Sequence, residues 1–156
     1  MYVIVPTIVH SLISFAALAA GLAVLLDLLR KDDRPAMVKL FLLTAFLTSA
    51  SGFLFPVTEI LPSHITAVIA LLVLLPTWSA RYRFRLLGAW RWVYAGGAVA
   101  SLYFIVFVLI VQIFMKTPAL RQAAEKAEPP FAITQGIVLL IFLALGLQAV
   151  RKFRPA

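Results

Sequence analysis

Four apolar stretches of membrane-crossing length, and a fifth that falls just short, constrain this 156-residue chain more than any other feature. A helix needs about 20 predominantly apolar residues to cross a hydrocarbon core, and it satisfies its own backbone hydrogen bonds on the way. The long stretches cover residues 5–29, 37–55, 92–114 and 131–150. The short one, "ITAVIALLVLLPTW", offers about 14 strongly apolar residues, or about 21 Å at 1.5 Å per residue. It reaches spanning length if its helix begins near Ser63 and runs on into "ARYRFRLLGAWRWVY", with Pro76 a candidate kink. The expected fold is all-α, one domain over residues 1–156: a polytopic membrane protein built as a bundle of five transmembrane helices. The first apolar run is too long for a signal-peptide core and lacks a basic region ahead of it, so it reads as an uncleaved span.

Charge supports the span that hydropathy leaves marginal. Cytoplasmic loops retain excess Lys and Arg. With five spans, eleven of the fourteen basic residues fall on one side: Arg30, Lys31, Arg34, Lys39, Arg81, Arg83, Arg85, Arg91, Arg151, Lys152 and Arg154. Only Lys116, Arg121 and Lys126 fall on the other. This arrangement predicts an outside N-terminus and a cytoplasmic C-terminus. Removing the marginal span would set the arginine run opposite the first basic loop.

The run at residues 80–94 could in isolation grip nucleic acid, with guanidinium groups on phosphates and rings on bases. A chain 63% hydrophobic and 13% charged leaves no soluble domain to present it, so no nucleic-acid partner is expected. The run reads as a topology anchor touching anionic lipid at the cytoplasmic face, with Tyr82, Trp90, Trp92 and Tyr94 at headgroup level. On the other side, "KTPALRQAAEKAEPP" predicts a short amphipathic helix. Thr117 would cap it, Pro118 would open it and Pro129–Pro130 would stop it, leaving a connector or a lid.

Polar side chains within the spans gather in the outer half. In the first span Thr7, His10, Ser11 and Ser14 share a face that continues as Ala17 and Gly21. Thr44, Thr48, Ser51 and Gly52 make a comparable stripe in the second, and Gly97, Ser101, Val108 and Gln112 in the fourth. Thr134 and Gln135 lie in the outer half of the last span, with Glu59 and His64 at the outer edge. A vestibule follows, centred on His10 and completed by Ser14, Thr48, Gln112 and Gln135, where the first, second, fourth and fifth spans converge. The small-residue stripes permit close helix approach and point to a homo-oligomer.

Simpler roles exist for each of these residues. Membrane hydroxyls often bond their own backbone. His10 can serve as a packed, hydrogen-bonded imidazole, and Asp27 has Arg30 and Lys31 within one helical turn for an ion pair. Tyr103 is expected to find a hydrogen-bond partner inside the bundle. No metal site is marked, and the absence of cysteine excludes disulfides and thiolate chemistry. No HExxH, GxSxG, phosphate-binding glycine loop or intramembrane carboxylate pair marks an enzyme.

At "TSASGFLFP", "GAWRWVY" and "EPPF" the chain resembles a group of small bacterial inner-membrane proteins, with the similarity running over most of its length. The resemblance implies a multi-pass protein of the bacterial cytoplasmic membrane and carries no activity, ligand or catalytic residue with it. The five-span format is also similar to the translocator-protein family, whose tryptophan- and proline-rich loop signatures are absent here. Transport, as channel or carrier, ranks first among the functions. A redox subunit using His10 and His64 with haem, or holding a quinone, ranks second, beside a structural or accessory subunit.

Overall fold

The computed structural model describes residues 4–54, 62–126 and 128–154. They form the helices α1 (Ile4–Arg30), α2 (Pro35–Ser51), α3 (Pro62–Tyr82), α4 (Trp90–Lys116), α5 (Pro118–Glu125) and α6 (Pro129–Lys152), with a 3-10 turn at Gly52–Leu54. Four of these, α1, α3, α4 and α6, are long and apolar enough to cross a membrane, as in a multi-pass membrane protein.

The short helix is not the one expected. α3 runs through Pro76 without stopping, because the ring removes a single backbone donor from a helix that continues to Tyr82. α2 has 17 residues and is about 26 Å long, and it gives way at Gly52 to the 3-10 turn. The expected remainder of that span reaches Phe55, which lies outside the described residues.

Contacts between successive helices close α1, α2, α3 and α4 into a ring, while α6 leans on the outside of α4 and α1. The buried share of the apolar stretch reflects this, at 39% for α1 and 6% for α6. Close approach inside the ring depends on glycine. A Cβ at Gly21 would lie 2.6 Å from Leu102 Cδ1 and 2.7 Å from Phe41 Cε2, and one at Gly97 would collide with the Thr77 side chain. Ala17 and Ser101 are likewise buried. Gly21, Gly97, Ala17 and Ser101 of the small-residue stripes thus serve packing within one chain.

Most basic residues collect at one end of the bundle. α1 stops there with Lys31 in the left-handed region (φ 62°) and the Asp32 amide bonded back to the Asp27 carbonyl at 2.9 Å, a Schellman-type reversal. The reversal brings Arg34 onto Asp27, with Nε 2.9 Å from Oδ2 and Nη2 2.8 Å from Oδ1. Asp27 is therefore partnered by Arg34, across the turn, rather than by Arg30 or Lys31. The carboxylate beside it holds the Arg34 guanidinium above its ordinary pKa range. Asp33 pairs with Arg81 at 2.8 Å, and Arg81 stands 5.4 Å over the Tyr94 ring, tying the first loop to α3 and α4.

α3 continues into the arginine-aromatic run as far as Tyr82, a turn follows, and α4 begins at Trp90. Arg85 and Leu86 have φ of 49° and 59°. Leu86 is buried, with its amide on the Ala80 carbonyl at 3.0 Å, and Phe84 stacks on Trp90 at 3.8 Å. Tyr82 and Trp92 are exposed, as headgroup residues would be. Tyr94 is a core residue, not a member of the belt.

Candidate functional site

At the opposite end the ring opens into a cavity of about 490 Å³ between α1, α2, α3 and α4, within the size range of small-molecule sites. Its lining runs inward from Thr7 to Leu18 on α1, about 16 Å, and from Lys116 to Ser101 on α4. His10, His64, Thr66, Gln112 and Lys116 make the outer part polar. Phe15, Leu18, Leu74, Phe104 and Ile105 make the deeper part apolar. Beneath it the contact of Gly21 with Phe41 and Leu102 seals the ring. From there to the basic end the interior is packed by Val24, Leu28, Val38, Leu42, Tyr94 and Ala98.

Of the five candidate residues, His10, Ser14, Thr48 and Gln112 line this cavity. Gln135 does not. It lies buried between α6 and α4, where Nε2 donates to the Phe107 carbonyl at 3.3 Å. The last span is an outer wall, and α3 takes the place expected for it, supplying His64, Thr66, Ala67, Ala70 and Leu74. Thr134 spends its hydroxyl on the Pro130 carbonyl at 2.7 Å.

Hydrogen bonds fix the histidine at the mouth. His10 Nδ1 lies 2.8 Å from Ser51 Oγ, and Ser51 Oγ donates to the Thr48 carbonyl at 3.2 Å. A serine hydroxyl has one proton. Both bonds are made together only if Nδ1–H donates to Ser51, which leaves the lone pair of the neutral ring on Nε2. Ser14 Oγ donates to the His10 carbonyl at 2.8 Å, so its lone pairs are what it offers a ligand. His64 lies across the mouth, its ring 5.7 Å from that of Phe53.

Two hydroxyls on the cavity wall have no partner among the described residues. Thr48 Oγ1 and Ser101 Oγ are buried and make no hydrogen bond with them, although buried polar groups are nearly always paired. Ser101 is 4% exposed. It belongs to the same helical stripe as Gln112, and that alignment was the sequence signal for its place in the site. Tyr103 and Thr117 take no part. Glu59 lies outside the described residues. Tyr103 packs against Phe104, Phe107 and Phe142 and makes no hydrogen bond with the described residues. Thr117 does not cap α5, since its hydroxyl returns to the Ile113 carbonyl at 2.7 Å. Among the described residues none of α5 lines the cavity, and the helix packs against the end of α4.

Among the described residues no group of three or more His, Asp or Glu side chains is placed to hold a metal ion. No protein-family profile, curated protein or solved structure matches the chain.

Proposed function

We propose that this chain is a small transport protein of the bacterial inner membrane. It admits an amphipathic ligand from the outer face into the cavity beneath His10. In this reading α2 completes a five-span bundle, its 26 Å extended by the 3-10 turn, with the N-terminus outside and the basic end cytoplasmic. One observation carries the proposal: a cavity with a polar rim, an apolar depth and two unpartnered hydroxyls ends above a packed inner half. A pathway sealed in this way suits a carrier that changes conformation better than a channel that stands open. The imidazoles and Lys116 at the rim fit a carboxylate head, and the depth fits an alkyl chain.

A photoactivatable diazirine fatty acid tests the reading in proteoliposomes. Crosslinks are expected on residues 7–18 of α1 and 101–116 of α4, together with uptake of the radiolabelled compound into the vesicles. Crosslinks confined to the exposed face of α6, with no uptake, would reject it.

A redox role has one observation in its favour, since His10 and His64 line the same cavity. Haem between them would give the purified protein a Soret band. A quinone would use the same polar rim and apolar depth, and would be read by its extraction with the protein.

A further inference from the structure

We propose that Arg91, Arg151 and Arg154 form a binding site for the phosphate of an anionic phospholipid at the basic end. The proposal rests on the helices lying in a membrane and is independent of the transport reading.

The start of α4 and the end of α6 lie side by side, and together they enclose a second cavity of about 330 Å³ lined by these three arginines with Trp92, Val150 and Phe153. Its wall is fixed by the chain beyond α6. Phe153 is 2% exposed, its ring lies 5.4 Å from that of Tyr94, and its amide bonds the Ala149 carbonyl at 2.9 Å. That docking holds Arg151 and Arg154 on either side of a buried anchor.

Among the described residues no side-chain carboxylate compensates the charge in the cavity. The carboxylates of this end are Asp27, Asp32 and Asp33. Asp27 is engaged by Arg34, Asp33 by Arg81, and Asp32 Oδ1 accepts the Asp33 amide. Among the described residues no carboxylate pairs with Arg91, Arg151 or Arg154. Arg91 carries the second, separate sign. Its Nε is buried with no acceptor among the described residues, while its guanidinium is held 5.1 Å over the Trp92 ring. A donor left without an acceptor, on a group already oriented by stacking, is poised for an anion.

The fork of a guanidinium matches the oxygens of a phosphate, and three forks around one cavity suit a group with several equivalent oxygens. Trp92 and Val150 add an apolar border, as the glycerol and first methylenes of a lipid require. A free phosphate offers the same oxygens without the tail. The exposed Arg83 and Arg85 belong to the same basic end but line neither cavity, and they serve as the control.

The test is native mass spectrometry of the full chain released from nanodiscs of phosphatidylcholine and phosphatidylglycerol in equal parts. One retained phosphatidylglycerol per chain is expected. Arg91→Gln/Arg151→Gln should reduce its retention about tenfold, the order expected for losing charge-assisted hydrogen bonds. Arg83→Gln/Arg85→Gln removes the same charge and should leave retention unchanged. Should the first pair fail to fold, Arg91→Lys/Arg151→Lys keeps the charge and loses the forks, and should still reduce retention severalfold. Equal losses from the glutamine pairs would mean a diffuse basic collar and would overturn the site. Inorganic phosphate forms the second arm. If millimolar phosphate displaces the lipid, or binds in phosphatidylcholine alone by phosphorus-31 line broadening, the anion is soluble and the lipid assignment falls.

Discussion

Asp33 and Arg81 meet at 2.8 Å, joining the loop after α1 to the last turn of α3, with Arg81 poised over Tyr94 in the core. Three segments distant in sequence are thereby held at the basic end, and the site at the opposite end inherits a fixed ring of helices. The same contact bears on how topology is measured, because a probe at Asp33 would break it.

Topology is therefore best read at Asp32, which is exposed, and at Gln122 on α5. The chain has no cysteine, so a single introduced thiol is the only one present. Gln122→Cys is expected to react with an impermeant thiol reagent in intact cells, and Asp32→Cys only after permeabilisation. The reverse pattern would invert the orientation drawn from the eleven clustered basic residues.

Asp27 and Arg34 should respond unequally to substitution. The Asp27 side chain is 7% exposed and that of Arg34 is 51% exposed. Removing the arginine strands a buried carboxylate, whereas removing the carboxylate leaves an arginine that water solvates. Arg34→Gln is expected to lower the thermal midpoint in detergent more than Asp27→Asn does. Restoring a neutral pair with both substitutions should recover part of the loss.

Gly97 reports where the small-residue stripe acts. A leucine there would be driven into Thr77 of α3 within the same chain, and overpacking of this kind costs about 1–3 kcal/mol or more. Gly97→Leu is expected to reduce the yield of monodisperse folded protein. Gly136→Leu should not, because a Cβ at Gly136 meets nothing within 4 Å. The outer face of α6, which exposes Ile133, Ile137, Leu140 and Leu147, is a surface on which a homo-oligomer would be built. Mass measurement in nanodiscs reads its presence, and Gly136→Leu tests whether that face carries it.

Depth along a helix was legible in the sequence, and rotation about its axis was legible only where a stripe of polar residues marked a face. Thr7, His10, Ser11 and Ser14 repeat often enough to orient α1, and all four line the cavity. Thr134 and Gln135 are adjacent and point in different directions, so they fixed the depth of α6 but not its azimuth, and Gln135 turned out to face α4. α3 was undervalued for a related reason. Below His64 and Thr66 its cavity face is made of Ala67, Ala70 and Leu74, which carry no polar signal, and its strongly apolar stretch is short. The pairing of Asp27 with Arg34 was hidden because it depends on Lys31 adopting a left-handed turn, a conformation that composition does not announce in a non-glycine residue.

His10 makes the proposed binding sensitive to pH. An imidazole changes charge in the range of about pH 5 to 8. Protonation makes both ring nitrogens donors and gives the ring a positive charge. A fatty-acid carboxylate should then bind more tightly as pH falls through the imidazole range, provided it stays ionised. His64 and Lys116 are the other titratable groups on the lining. His10→Ala should flatten most of the dependence, and His10→Ala/His64→Ala should abolish it. An unchanged profile in the double variant would assign the effect to the ligand itself.

Ser101 separates a ligand site from a merely tolerated polar residue. The residue is 4% exposed and lines the deep part of the cavity, and its hydroxyl has no partner among the described residues. A buried hydroxyl without a hydrogen bond costs about 1–3 kcal/mol. Replacing it with a methyl group should therefore leave the empty protein as stable as before, or more so. If a ligand supplies the missing partner, the same change should remove one hydrogen bond from the complex, about 0.5–1.5 kcal/mol, or up to roughly tenfold in affinity. Ser101→Ala is thus expected to hold or raise the thermal midpoint without ligand and to weaken photocrosslinking by the diazirine fatty acid. Thr48→Val, which removes the other unpartnered hydroxyl at nearly constant volume, should behave in the same way. If both variants were stabilised and both bound the fatty acid undiminished, the hydroxyls would have no part in recognition. The cavity would then hold its ligand by shape and apolar contact alone.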